Sequence, residues 1–465
     1  MRVINYVLAN ISRLKLAHCF LVILCLSVHC VNADSEWQEL FDGKSFANWK
    51  QLGGAAEYTI EHGEVVGTSK ADTPNSFLTT AQLYGDFILE FEVKVDAGLN
   101  SGVQIRSNSR SDYLNGRVHG YQVEIDTSPR AFSGGIYDES RRGWLYPLTR
   151  NDAARSAFRN GEWNLYRVEA IGNRISTWVN GQQTARLIDD LERQGFIALQ
   201  VHSTETPEQI NRQIRWRNIR IKTKSFIESQ TQDNPAVEEI SFLDNVLTET
   251  EKRKGWRLLW DGKTTKGWRS ASSEKSPVNG WEFKNGVLAA VPSGAAAITG
   301  SDLISEQQFH NFELQLEFKL SKGTDSGIQY FVGADLSQQV TSGLEFQLLD
   351  DKSHPDVKSG VNGNHSLGSL YDLIAAENLS IPGRNKQFKG VGEWNHARII
   401  VRNGQVEHWL NNEKVIDFDR NSQLFKALIA QSKNYESLRP LPSVGHILLQ
   451  NKGDSVQFRN IKIRE

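Results

Sequence analysis

The stretch Gly120-Tyr121-Gln122-Val123-Glu124-Ile125-Asp126 carries the residue types best suited to chemistry in this chain. Strand alternation puts Gln122, Glu124 and Asp126 on one face, with Val123 and Ile125 on the other. Three polar side chains in a row serve packing poorly. Carboxylates accept hydrogen bonds from vicinal hydroxyls, and one of them can act as a base. The pattern recurs at Gly343-Leu344-Glu345-Phe346-Gln347-Leu348-Leu349-Asp350, where Glu345 and Gln347 share a face with acid and amide exchanged. Asp350 falls out of phase with them unless a bulge re-aims it. The plain alternative for both stretches is a solvated outer sheet face.

Neighbouring residues extend the pattern. Ser133-Gly134-Gly135-Ile136-Tyr137-Asp138 parallels Leu367-Gly368-Ser369-Leu370-Tyr371-Asp372, so Tyr137 and Tyr371 are candidates to contact a ligand. Trp144 lies in a loop-like segment with no clear later match, and an aromatic there can stack on a sugar ring. Arg141 and Arg142 could bind a carbonyl or carboxylate. A glucanase-type E-x-D-x-x-E strand needs a nucleophile and an acid about 5–5.5 Å apart. Glu124 and Asp126 begin that pattern, but position 129 is Pro129, and the later copy loses a carboxylate to Gln347. No H-x-x-x-H spacing occurs, so no metal ligands and no cofactor are assigned; loop carboxylates leave a divalent cation open.

The elements that must position these residues come as a duplication. Leu40-Phe41-Asp42-Gly43-Lys44 recurs as Leu259-Trp260-Asp261-Gly262-Lys263, and Gly161-Glu162-Trp163-Asn164 as Gly392-Glu393-Trp394-Asn395. FILEFEVKVDAGLNSGVQI from Phe87 recurs as FELQLEFKLSKGTDSGIQY from Phe312, and the closing strands IRWRNIRIK and VQFRNIKIR match. Period-two alternation dominates, with Asn-Gly and His-Gly turns between short strands. The fold class is therefore all-β: two β-sandwich domains in tandem, over residues 34–224 and 255–465, joined by a partly helical linker at 225–254. In that linker Asn234 and Pro235 can start a helix, and Thr248 with Glu251 fits a capping box before Gly255.

Residues 1–33 read as a cleaved signal peptide: Arg2, Arg13 and Lys15, an apolar run over 16–31, then Val31-Asn32-Ala33. An uncleaved anchor is the alternative. After cleavage no membrane span remains, and the product is secreted or periplasmic. Cys19, Cys25 and Cys30 leave with this segment, so the mature chain has neither disulfide nor thiol nucleophile. A formal charge of −2 argues against a nucleic-acid partner. The oligomeric state is left open.

The L-[FW]-D-G-K start, the N/D-S-G-[VI]-Q strand, the paired E/Q strand, the G-x-[IL]-Y-D turn and G-E-W-N together resemble the bacterial 3-keto-disaccharide hydrolase domain family, in both copies. The resemblance implies a concanavalin A-like jelly roll acting on glycosides already oxidised at C3, by base-assisted elimination and hydration. It further implies Glu124 or Asp126 as base with Arg141 or Tyr137 as donor, and in the second copy Glu345 and Asp350 with Tyr371 in these parts. Gln122, Gln347 and Trp144 are candidate sugar contacts on the polar-face and loop-aromatic grounds given above. A non-catalytic carbohydrate-binding protein and a glucanase on unmodified glycans are the competing functions.

Overall fold

The computed structural model describes residues 37–272, 280–292, 302–335, 340–434, 436, 438 and 441–465. The leader read at residues 1–33 lies outside them. Among the described residues no helix is long and apolar enough to cross a membrane.

The Phe87–Val95 strand shows why this sequence makes sheets. Phe87, Leu89, Phe91, Val93 and Val95 are buried, while Glu90, Glu92 and Lys94 on the other face keep part of their surface in water. It pairs antiparallel with Asn164–Ile171 on one side and Gln213–Lys222 on the other. From those strands the sheet runs outward through Arg174–Val179, Gln182–Ile188 and Ile240–Ser241 at one edge, and Glu64–Thr68 and Glu57–Glu61 at the other. The facing sheet runs Gly143–Tyr146, Ile136–Glu139, His119–Asp126, Asn100–Asn108, Phe196–Val201, Ser76–Thr80, Trp49–Gly53. Side chains from both sheets, among them Phe91, Val103, Tyr121, Val123 and Trp216, form one core.

The second copy repeats this plan. Phe312–Leu320 sits between Asn395–Arg402 and Val456–Arg464 in one sheet. The other runs Trp268–Ser270, Leu303–Phe309, Gly445–Leu449, Asp325–Asp335, Val340–Leu349. Its core includes Trp260, Trp268, Phe318, Phe346 and Phe458. The fold is thus all-β, two β-sandwiches in tandem. One difference bears on function. Ile136–Glu139 and Gly143–Tyr146 widen the first copy's sheet beyond His119–Asp126, and among the described residues the second copy has no corresponding strands.

The linker is less helical than its sequence suggests. Thr248 and Glu251 do form the reciprocal capping box of a short helix, Glu249–Arg253. Asn234 and Pro235 instead open a turn, with Val237 N–H donating to the Asn234 carbonyl at 3.0 Å. Ile240–Ser241 then adds as a parallel edge strand to Gln182–Ile188, so sheet pairing takes the backbone groups a helix would have used.

Candidate functional site

In the first copy Tyr121, Val123 and Ile125 enter the core, so Gln122, Glu124 and Asp126 point the opposite way. There they line a cavity of about 900 Å³. The two extra strands bring Tyr137, Glu139, Gly143 and Trp144 to the same cavity, the turn between them brings Arg142, and Asn100, Arg130 and His202 complete this part of its wall.

Glu124 is enclosed by donors. Its Oε1 accepts from Asn100 Nδ2 at 2.8 Å and Arg130 Nη2 at 3.1 Å, and its Oε2 accepts from Gln122 Nε2 at 3.0 Å. Burial raises the carboxyl's pKa above the usual glutamate value, by more than Arg130 and the amide donors lower it. Asp126 behaves differently. Its Oδ1 accepts from Ser128 N–H at 3.0 Å, and its Oδ2 from Arg130 Nε at 2.8 Å and Phe132 N–H at 3.1 Å. Burial opposes ionisation there too, but Arg130 and these donors outweigh it and the pKa falls. Asp126 therefore folds the 126–133 loop and seats Arg130, which suits it poorly to taking a proton.

Tyr137 and Trp144 pack edge to face at 5.2 Å, and the Arg130 guanidinium lies 5.1 Å from the Trp144 ring centre. Trp144 is thus half-buried in the cavity wall, with a cation against its ring. Burial, with Glu139 and Glu124 nearby, raises the Tyr137 phenol. Glu139 is raised as well, by burial, although Ser140 and Asn75 donate to it.

The neighbouring arginines part company. Arg142 lines the cavity, held by Asp138 and by Asp189 at 2.7 Å. Arg141, expected to meet substrate, turns away. Both guanidinium groups share the Asp138 carboxylate, but Arg141, whose Nε donates to Asp138 at 2.8 Å, sends its Nη1 to Glu192 at 2.8 Å rather than to the cavity wall.

In the second copy Glu345 and Tyr371 line a smaller cavity of about 240 Å³ with Gln329, Gln450 and Lys452. Glu345 Oε2 accepts from Gln329 Nε2 at 3.0 Å and Gln450 Nε2 at 3.2 Å. Its pKa is raised by burial, against the pull of Lys452. Tyr371 is engaged on both sides, donating to Asp356 at 3.0 Å and accepting from Lys433 Nζ at 2.9 Å. Gln347 is fully buried and donates to Asp325 at 3.2 Å, so it is a scaffold group rather than a cavity contact. Asp350 also lies off the cavity. No bulge re-aims it, since Leu349 still pairs with Asp325 in register. Its carboxylate closes a turn by accepting from Gly323 N–H at 2.8 Å and Lys352 N–H at 3.2 Å.

The two copies are related by a compensated exchange. Gln104 faces Gln122 across the strands, and Gln329 faces Glu345. Where Asn100 donates to Glu124 in the first copy, Gln347 donates to Asp325 in the second. Each acid keeps an amide partner, but the acid sits on a different strand.

Residues 36–222 and 255–464 match the 3-keto-alpha-glucoside-1,2-lyase-like domain family. The chain belongs to this family. A 3-keto-disaccharide hydrolase of Bacteroides thetaiotaomicron VPI-5482 is 35% identical over a 234-residue alignment that covers 45% of this chain and 78% of that protein. A solved "putative glycosyl hydrolase" from Parabacteroides distasonis ATCC 8503 is 30% identical, with 48% of this chain and 99% of that one covered and a TM-score of 0.42. A second from the same strain is 27% identical over 43% and 98%, with a TM-score of 0.32. Like its family, the protein is an enzyme of the glycoside-hydrolase kind.

Several cavity residues escaped sequence reasoning. Arg130, four residues after Asp126, could have been suspected as its partner. Glu139 follows from extending the Tyr137 strand by one alternation. Nothing local marks Arg384, Lys389 or Glu413, which reach the first copy's cavity from the second.

Proposed function

We propose that this family member cleaves 3-keto-disaccharides or 3-keto-glycosides by elimination and hydration in the first copy's cavity. The observation that carries the reading is Glu124: a buried carboxylate of raised proton affinity, facing a cavity that also holds a phenol and a guanidinium. A C3 ketone acidifies the C2 proton. Glu124 takes that proton, and Arg142 steadies the charge that builds on the C3 oxygen. The C1–O bond then breaks, and the departing oxygen takes a proton from the Tyr137 hydroxyl. Water adds to C1 of the resulting enone and a proton returns to C2, so the net change is hydrolysis without redox.

Of the two carboxylates on the strand, Asp126 is tied to its loop. One base suffices for elimination, whereas double displacement needs two free carboxylates. The leader read at residues 1–33 puts the reaction outside the cytoplasm. Purified protein incubated with 3-keto-trehalose in deuterated water should release 3-keto-glucose carrying deuterium at C2. Plain trehalose should survive. Release without C2 label would sink the elimination route, and turnover of plain trehalose alone would favour a glucanase-like enzyme.

A further inference from the structure

The first copy's cavity is not closed by the first copy. Ile381, Arg384, Gln387, Phe388 and Lys389 of the second copy, with Asn411 and Glu413, form part of its wall. Ile381 packs against the first copy's hydrophobic core. The segment is anchored within its own copy: Asn411 Nδ2 donates to the Gln387 carbonyl at 2.7 Å, and Lys389 N–H donates to Asn395 Oδ1 at 2.9 Å. Glu413 accepts from Asn378 at 2.6 Å and Arg384 at 3.4 Å, and the charge of Arg130, the cation beside Glu124, also acts on it. Lys389 in turn feels the charges of Arg142 and Asp138 across the seam.

The division of labour follows from chemistry. Glu124, Tyr137 and Arg142 all belong to the first copy. The second brings what recognises a sugar without reacting: a cation, a carboxylate–guanidinium pair, an aromatic at Phe388 and an apolar side chain at Ile381. A volume near 900 Å³ stands at the upper end of small-molecule cavities, so it has room beyond a single ring.

We propose that the second copy builds the leaving-group subsite of the first copy's active site, with Lys389, Arg384 and Glu413 selecting a glycosidic partner as large as a second sugar. The term leaving group rests on the function proposed above; the two-copy construction of the site does not. The tandem is then one enzyme whose second sandwich sets specificity, rather than two enzymes in series.

The test uses the full chain carrying Lys389→Met, Arg384→Ala or Glu413→Gln, with thermal melts to confirm folding. Each is assayed on 3-keto-trehalose and on methyl 3-keto-glucoside, whose leaving group is a single methoxyl. The expected result is a fall of tenfold or more in the ratio of kcat/KM for the disaccharide over the methyl glycoside, carried mainly by KM. Equal losses on both substrates, or no loss on either, would overturn the proposal. If the unaltered protein turns over neither compound, the proposed function fails, and calorimetry with trehalose and with glucose still decides the subsite. A selective tenfold loss of trehalose affinity in the variants supports it, and a parallel loss or none refutes it. Glu413→Gln preserves shape and keeps the test open if the other variants melt.

Discussion

Gln122 Nε2 donates to Glu124 Oε2 at 3.0 Å, and the amide's orientation is fixed from behind. Ser107 Oγ donates to Gln104 Oε1 at 2.7 Å, and Gln104 Nε2 donates to Gln122 Oε1 at 2.7 Å. The relay runs one way and ends on the proposed base, so it favours the ionised form and opposes part of the rise in pKa that burial imposes.

The first prediction concerns pH. A base works deprotonated, so kcat/KM rises as pH climbs through the pKa of Glu124, and burial puts that acidic limb above the 4.5 of an ordinary glutamate. Gln122→Glu replaces a donor with a like charge. It should move the limb to higher pH. A pH profile of kcat/KM for both proteins reads this directly; superimposable limbs would remove Glu124 from the role of base.

A second prediction comes from the glycine in the N-S-G motif. A Cβ at Gly102 would lie 2.5 Å from the Gln122 side chain, and one at Gly327 would lie 2.3 Å from Glu345 Oε1. In both copies the motif leaves room for the polar side chain to lie across the neighbouring strand. Gly102→Ala should cost about 1–3 kcal/mol as overpacking, and turnover should fall at least tenfold because the amide leaves Glu124. Denaturant melts beside steady-state rates check both halves. Full activity in a destabilised variant would show that the Gln122 contact has no catalytic part.

Third, the two acids should not be equivalent. Glu124→Gln removes the base and should lower kcat by roughly 10²–10⁴. Glu345→Gln alters a carboxyl in a cavity about a quarter the size, lined by the already engaged Tyr371, and its effect on turnover should be far smaller. Rates of the two single variants on one keto-disaccharide decide the matter, and the reverse ranking would assign the chemistry to the second copy.

How far the sequence reached can be seen residue by residue. Alternation is a local property, so the outward face shared by Gln122, Glu124 and Asp126 was legible, as were the sandwich class and the repeat. The division of roles between Glu124 and Asp126 was not. It depends on Arg130 and on backbone donors of the following loop, whose geometry no periodicity encodes. Arg141 and Arg142 differ by one position in a turn, where the two-residue period no longer applies. Lys389 and Arg384 were invisible because Glu124 and Tyr137, whose cavity they line, lie more than two hundred residues earlier in the chain, and only the docking of the two copies brings them together.

That docking supplies the last prediction. Glu238, in the linker, bridges Arg150 of the first copy at 2.6 Å and Arg398 of the second at 3.6 Å. Burial alone would raise its carboxyl, but Arg150 and Arg398 together bring the pKa down to about 2. A folded-state value below the ordinary 4.5 means that the clamp stabilises the protein fully above that pH. The contribution is lost progressively as pH falls from 4.5 towards 2. Glu238→Gln leaves the buried Arg150 without its carboxylate, while Arg398 keeps Glu313. The loss at neutral pH should be about 3 kcal/mol, seen as a lower Tm. Near pH 3 the variant and the parent should melt closer together, because the parent's own carboxyl is then losing its advantage. A Tm gap that stays constant from pH 7 to pH 3 would mean that Glu238 acts through packing, and that the charge pair does not hold the second copy's wall over the first copy's cavity.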